Sequence, residues 1–454
     1  MVRVVGLQWR VRCVLRALGM IIVGGSSVAV AQTATSAPWL CLSGSNTIGA
    51  RLAPRLVEAF AAEQGMLRDA IEQPSLDETE LRFSKDGQRY LVHLSFHGTG
   101  TGYTALRDGQ CDLWMASRPA NADEAARLGG DRLRSAEQET VLALDGLAVI
   151  VHPDNPVREL SRQQVQALFT GKIRDWSALG GRAGRIQLHA RDNASGTFDT
   201  FKNLVLLDQP LSPRATRYES TDALSAAVSQ DSNAIGFVGL GGVGTNRALA
   251  IRDGDLPALA PTHFNVATED YALARRLYFY SRAERREVVE AFLAFVQRPT
   301  AQSIVAATGF VPLALEHHAV ALRPDAPAEY RELIADATRL SLSFRFGSGQ
   351  VFLDSRASRD LDRLAEYMQT PEQQGASLIL VGFAERAEFS PMVTIAQSTD
   401  RADFVARELV RRRVPVRHIR GYGPALPISD AEGDGARAKN RRVEVWIRPP
   451  ERES

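Results

Sequence analysis

The chain has 454 residues, with 54 Lys and Arg against 53 Asp and Glu, a net charge of +1. So even a balance argues against nucleic-acid binding and against polybasic membrane docking. The length is too great for one compact domain and implies two to four folding units.

Residues 1–31 read as a secretory signal peptide. Arg3, Arg10, Arg12 and Arg16 form a basic start, Ala17–Ala31 is apolar and small, and Ala29-Val30-Ala31 offers a small-x-small cleavage site before Gln32. The uncharged core is shorter than the ~20 residues of a membrane span. A cleaved, soluble product is therefore expected, with 50 basic against 53 acidic residues and a net charge of −3. Cleavage removes Cys13 and leaves Cys41 and Cys111. An even pair in an exported chain, each in a short apolar run read as one of two adjacent parallel strands, suggests a Cys41–Cys111 disulfide.

From Pro38 to about Leu322, strand-like and helix-like patterns alternate. Leu40–Ser43 reads as a strand, Gly44–Gly49 as a glycine turn, and Ala50–Gln64 as an amphipathic helix with Leu52, Leu56, Ala59 and Phe60 on one face. Tyr90–Phe96 reads as a strand, followed by the small-residue turn His97–Gly102 and a helix to about Asp108. Leu147–Val151 is a continuous apolar run, typical of a strand buried on both faces. Ser161–Phe169 opens on an N-cap serine and reads as a helix. Such alternation implies an α/β architecture with mostly parallel sheets, whose ligands sit beyond the carboxyl ends of the strands. A polar, proline-punctuated stretch at His317–Pro327 and a short helix, Ala328–Ala337, lead into a second unit reading β-α-β-α-β-β. Its strands are Leu340–Phe346, Leu378–Phe383, His418–Gly421 and Arg442–Ile447, and its helices about Ser355–Met368 and Thr394–Arg412.

Three loops of the first unit share one chemistry. Arg191-Asp192-Asn193-Ala194-Ser195-Gly196-Thr197 sets a permanent cation four residues before two hydroxyls and a glycine that open a helix. Hydroxyls, backbone N–H groups and a guanidinium fork are what a tetrahedral oxyanion needs to replace its water shell. Ser43-Gly44-Ser45-Asn46-Thr47-Ile48-Gly49 and Gly98-Thr99-Gly100-Thr101-Gly102 are two further turns of the same kind. Each also lies at a strand end, so together they point to one oxyanion pocket. No assignable base accompanies the motif's Ser195 to make it a nucleophile, so it reads as a site of capture and not of catalysis.

These pieces, with Ala116-Ser117-Arg118, Gly146–Val157, Leu168–Trp176 and Ala234–Val238, resemble the phosphate-binding periplasmic proteins of ABC importers across most of Pro38–Leu322. The resemblance implies a two-lobed type II periplasmic-binding-protein fold with the anion between the lobes. It assigns Ser45, Asn46, Thr47, Thr101, Ser117 and Arg118 to one side and Arg191, Ser195, Gly196 and Thr197 to the other. Some family members carry an aspartate after the serine equivalent to Ser117, where it can accept the proton of hydrogen phosphate. This chain has Arg118 there, which leaves its selectivity over sulfate open.

The second unit carries Phe346-Gly347-Ser348, Arg401-Ala402, Gly421-Tyr422-Gly423 and Arg437-Ala438-Lys439-Asn440-Arg441-Arg442-Val443-Glu444-Val445. These closely resemble the α+β OmpA-like peptidoglycan-binding domain. In that family a Thr-Asp pair and an arginine clasp diaminopimelate, a zwitterion whose ammonium needs a carboxylate and whose carboxylate needs a guanidinium. Matching places these roles on Ala384-Glu385 and Arg401, with Ser398 in the intervening Leu-Ser pair. Glu385 is a methylene longer than the family's aspartate, the loop to Arg401 is a residue longer, and Ala436 interrupts the usual Gly-Arg.

Other candidates are weaker. His317-His318 is an adjacent pair that cannot face one metal, nothing completes a site, and a solvated loop is expected. His97, His152 and His189 read as packing or hydrogen-bonding residues, Trp114-Met115 as core, and Ser195 lacks a hydrolase's nucleophile elbow. The expected organisation is a signal peptide at 1–31, a two-lobed binding domain at 38–322, a linker at 323–337 and an OmpA-like domain at 338–450. The expected protein is no enzyme and uses no cofactor or metal. It is a periplasmic protein of a Gram-negative envelope, associated with peptidoglycan and the outer membrane, that binds phosphate or a similar oxyanion and serves an ABC importer, a store or a signal. The alternative is an envelope structural or sensory protein whose first domain binds another ligand or a protein.

Overall fold

The computed structural model describes residues 38–450, apart from 194, 208, 348–352, 387–389 and 431–433. The signal-like segment 1–31, Ala194 of the anion motif and Ser348 of the second unit lie outside the described residues.

The first lobe is built around the strand Leu40–Gly44, buried along its length between the parallel strands Gln88–Ser95 and Leu113–Ala116. The helix Leu52–Glu63 covers it, because Leu52, Leu56, Val57 and Phe60 recur at helical spacing and are all buried. Two strands went unread in the sequence, Leu67–Ser75 and Glu78–Lys85, which add antiparallel to the edge at Gln88–Ser95. Leu67–Ser75 is mostly exposed and shows no apolar face, so pairing with its neighbour decides its conformation.

The long strand Glu139–Val151 joins the lobes. Its first half pairs antiparallel with Ala274–Ser281 and its second half with Ala234–Gly239. Beyond it, Gln187–Arg191 lies parallel to both Ala234–Gly239 and Thr216–Tyr218. Each lobe thus keeps parallel strands, but the centre of the joined sheet is antiparallel, which corrects the mostly parallel expectation. Only Leu147–Val151 was legible, because Glu139, Thr140 and Asp145 interrupt the apolar run. All three are buried; Tyr280 Oη donates to Glu139 at 2.6 Å, and Arg275 pairs with Asp145.

Cys41 and Cys111 are separate buried thiols, not the expected disulfide. The register Leu42↔Leu113 sets Asp112, not Cys111, opposite Cys41, and the Asp112 carboxylate accepts the Cys41 N–H at 2.8 Å. Each Sγ turns to a carbonyl instead, Cys41 to Gln110 and Cys111 to Leu113.

The C-terminal module has a five-stranded sheet in the order His317–His318, Thr338–Arg345, Arg442–Arg448, Ser377–Gly382 and Val416–Gly421. His317-His318 is therefore a short edge strand, not a free loop, with His317 paired to Leu340. The helices Ser355–Met368 and Pro391–Arg411 pack on one face through Leu361, Leu364, Val405 and Leu409. The helix Ala328–Leu333 lies within the segment read as a linker. Its Tyr330 packs with Ile379, Val381, Phe383 and Trp446, and Tyr330 Oη donates to Glu444 at 2.9 Å.

The module meets the binding domain through buried ion pairs. Asp270 accepts from Arg345 at 2.6 Å and pairs with Arg339 at 3.1 Å. Glu269 pairs with Arg276 of its own domain and with Arg356 of the module at 2.7 Å, and Arg276 also donates to Asp354 at 2.6 Å. Contacts reach both lobes. Ser355 donates to Glu139 of the first, and Ser429 to Asp253 of the second. Gly254 is packed so closely that an added Cβ would fall 1.3 Å from the Asp430 carboxylate.

Candidate functional site

The three small-residue turns converge where the lobes meet. Ser45 follows the first strand and caps a short helix that holds Asn46 and Thr47, and its N–H donates to Met115 O at 2.9 Å. Gly196 opens the helix Gly196–Phe201 of the second lobe and lies against Thr47. A Cβ on it would stand 2.1 Å from Thr47 Oγ1 and 2.5 Å from Thr47 N. Only glycine allows this approach.

Arg275, from the strand that returns between the lobes, ties the junction together. Its Nη2 donates to Thr47 Oγ1 at 2.9 Å and to Gly196 O at 3.2 Å, and its Nη1 donates to Ser117 O at 3.2 Å. Its Nε donates to Asp145 at 3.1 Å, so the buried cation is compensated. Arg275 was missed in the sequence because it lies far from the motifs, inside a strand. The only signal was a charge pair, Arg275-Arg276, in an otherwise apolar run.

Ser117 sits at the centre of a hydroxyl cluster. Its Oγ is 3.1 Å from Thr99 Oγ1, its N–H donates to Thr99 Oγ1 at 3.2 Å, and its hydroxyl donates to Asp199 Oδ2 at 3.4 Å. Trp114 Nε1 donates to Thr99 O at 2.6 Å and sets this turn. Thr99 is the hydroxyl of this turn that meets Ser117, whereas the expected Thr101 is exposed and its hydroxyl donates to Gly98 O at 2.8 Å. Ser195 is buried and Thr197 half-buried beside Gly196.

Two of the expected arginines are engaged elsewhere. Arg118 forms a two-pronged pair with Glu124, 2.7 Å at each contact. Its charge is thereby largely answered on its own lobe. Arg191 donates to Tyr218 O, Thr221 Oγ1 and Glu219 O at 3.2, 2.5 and 2.7 Å, which uses three of the five guanidinium N–H groups. Burial and the nearby Arg51 of the first lobe both disfavour its charge, against Asp192.

In the C-terminal module, Arg401 is buried, donates to Phe383 O at 3.2 Å and stacks over Phe346 at 5.9 Å. Burial and Arg441 push its basicity down, and the neighbouring Glu385 works the other way. Glu385 accepts from Arg441 at 3.1 Å and lies 3.7 Å from Arg437. Ser398 is fully buried and structural: its hydroxyl donates to Ile395 O at 2.7 Å and accepts from Gly423 N at 2.9 Å. Gly382 and Gly421 let this helix seat on the sheet, since Cβ atoms there would meet Ser398 O at 1.9 Å and Thr399 Oγ1 at 2.3 Å. Among the described residues, no cluster of His, Cys, Asp or Glu could hold a metal ion.

The chain thus presents a two-lobed α/β body with hydroxyls, a close glycine contact and a buried guanidinium gathered at the lobe junction. Residues 61–300, over half of the chain, match the model of the PBP superfamily domain, and the chain belongs to that family. Residues 344–441 match the OmpA family, so the two are fused in one chain. The phosphate-binding protein PstS of Staphylococcus aureus (strain bovine RF122 / ET3-1) is 26% identical over 233 residues, 49% of this chain and 70% of the relative. PstS of Staphylococcus saprophyticus is 26% identical over 231 residues, 49% of this chain and 71% of its own. Among solved structures, an ABC-type phosphate transport receptor from Vibrio cholerae is 24% identical, with a TM-score of 0.48 over 60% of this chain and 99% of its own.

Proposed function

We propose that this protein captures phosphate between its two lobes in the cell envelope, while its C-terminal module holds it to peptidoglycan without a covalent bond. The observation that carries this reading is Arg275 joining Thr47 and Ser117 of one lobe to Gly196 of the other, beside the Thr99–Ser117 hydroxyls. The hydroxyls of this junction are able to donate hydrogen bonds to an oxyanion, and the relatives matched over this region carry the name phosphate-binding protein. Binding proceeds by lobe closure, with the anion supplying the contacts that favour the closed state. No covalent step is involved.

The signal-like segment 1–31 supports export, and Arg401 with Glu385 supports recognition of the zwitterionic wall peptide. A receptor fixed to the wall suits local capture and hand-over to an importer or sensor close by. The test is equilibrium titration of the ligand-stripped full chain with phosphate and with sulfate. Saturable phosphate binding well below ~1 mM is expected. Absence of phosphate binding at that concentration overturns the reading.

A further inference from the structure

The C-terminal module touches both lobes, and the places where it does so decide what it can do. The chain crosses between the lobes where Gly146 pairs with Ala274 and Leu147 N–H donates to Leu273 O at 3.1 Å. Near this crossing Arg345 donates to Thr268 O at 2.6 Å and Lys439 to Tyr271 O at 3.0 Å. Lobe rotation moves atoms least there, so these bonds tolerate a change of angle.

Two further anchors lie away from the crossing, one on each lobe. On the helix Ser355–Met368, Ser355, Arg359 and Arg363 recur at four-residue spacing and form one stripe. Ser355 donates to Glu139, Arg359 to Ala136 O and Arg363 to Gln297 Oε1 at 3.1 Å, all in the first lobe. Glu139 begins the strand that carries Gly146, which sets it roughly 20 Å from the crossing. On the second lobe, Ser429 donates to Asp253 at 2.5 Å, and Asp430 accepts from the Asp255 N–H at 2.8 Å. Both anchors belong to one packed body. The helix sits on the module's sheet through Leu361 and Leu364. Asn440, just before the sheet strand Arg442–Arg448, accepts from the Ile428 and Ser429 N–H groups at 2.7 and 3.1 Å.

A rigid body bonded to both lobes fixes the angle between them. Opening moves the anchors relative to each other, and a hydrogen bond is lost within about an ångström of displacement, so one anchor must break. Contacts made only in the closed state bias the equilibrium toward it, as a captured anion does. We propose that the C-terminal module is a clamp on the lobe angle, which favours the closed state while docked across both lobes and couples anion release to its detachment from one of them. Docking and anion then strengthen each other by the same factor. The effect on release rests on the phosphate-capture reading above; the clamp on the angle does not.

The experiment uses the full chain with spin labels on Gln64→Cys and Arg182→Cys, exposed positions of the first and second lobes, where the buried Cys41 and Cys111 do not compete. One variant adds Ser355→Ala with Arg359→Ala, a second adds Ser429→Ala with Asp430→Ala, and a third carries all four changes. Without ligand, the wild type should show mainly one short lobe-to-lobe distance. Each variant should gain a longer one, and phosphate should restore the short one. Phosphate affinity should fall about tenfold in either double variant, through faster release. It should fall no further in the quadruple variant, because one broken anchor already frees the angle, whereas two independent losses would add. Melting curves establish which variants are folded, and either double variant suffices. Folded variants that keep the wild-type distance and affinity overturn the clamp and leave phosphate capture standing. Variants that open while the wild type binds no phosphate overturn phosphate capture and leave the clamp.

Discussion

Arg275 Nη2 donates to Thr47 Oγ1 at 2.9 Å and also to Gly196 O at 3.2 Å. One guanidinium therefore holds both lobes, from a strand that belongs to neither anion motif. Arg275→Lys keeps the charge beside Asp145 but loses the fork that reaches several acceptors at once. We expect anion affinity to fall at least about tenfold with little loss of thermal stability. Arg275→Ala should also destabilise the fold, by about 3–5 kcal/mol, because Asp145 is left buried and unpaired. Paired titration and melting curves of the two variants check this.

Gly196→Ala places a methyl 2.1 Å from Thr47 Oγ1. The lobes must then part at this point, which removes the closed geometry without deleting any hydrogen-bonding side chain. Affinity should drop at least about tenfold, mainly through faster release. Stopped-flow release of phosphate, with a melting curve to show retained folding, measures it.

The contact between Asp270 and the pair Arg339 and Arg345 should make the binding domain and the C-terminal module unfold together. Asp270→Asn leaves two buried guanidinium groups under-compensated and should cost about 3–5 kcal/mol. Calorimetry should then show two transitions where the wild type shows one. Acid should act on the same contact. Burial raises the Glu269 and Asp270 pKa values, but their arginine partners outweigh it and hold both below the ordinary values of 4.5 and 3.8. Their stabilisation is present above those values and is lost as pH falls through the lower folded-state values. Glu139 works in the opposite sense, since burial raises it and its contribution falls as pH rises past 4.5. With two groups against one, docking should weaken below about pH 4.

Burial and Asp112 push the Cys41 thiol up to about 11, and burial pushes Cys111 up as well. The thiolate is the reactive form, so neither should be alkylated in the native protein at pH 8. Denaturation should expose both, read as two added alkyl groups by mass spectrometry. A single intact disulfide in material from the envelope would contradict this arrangement.

Arg401 and Glu385 make the wall-docking reading testable. The full chain should pellet with purified peptidoglycan, and free diaminopimelate should compete. Arg401→Ala removes a charge-assisted contact and should weaken pelleting by about tenfold. Ser398→Ala, by contrast, should act through stability, because its hydroxyl is fully buried, gives its one proton to Ile395 O and accepts from Gly423 N.

The local chemistry was legible in the sequence. Ser195-Gly196-Thr197, the glycine turn after Leu40–Ser43 and the β-α-β-α-β-β order after Leu340 depend on spacing within short segments, where helix and strand periods and turn residues act. Tertiary structure decided what those segments meet. Arg275 reaches the junction only because its strand returns between the lobes, and Thr99 meets Ser117 in a turn that Trp114 holds. Arg118 and Arg191 have the charge that the motifs promised, but Glu124 engages the first, and the Tyr218 and Glu219 carbonyls with the Thr221 hydroxyl engage the second. The thiols of Cys41 and Cys111 stay apart through a one-residue offset between neighbouring strands. The module meets both lobes because acidic residues near the crossing, Glu269 and Asp270, find arginines some 75–87 residues away in sequence. A side chain's charge is written in the sequence; the partner that uses it is set by the packing of distant strands, which no local period encodes.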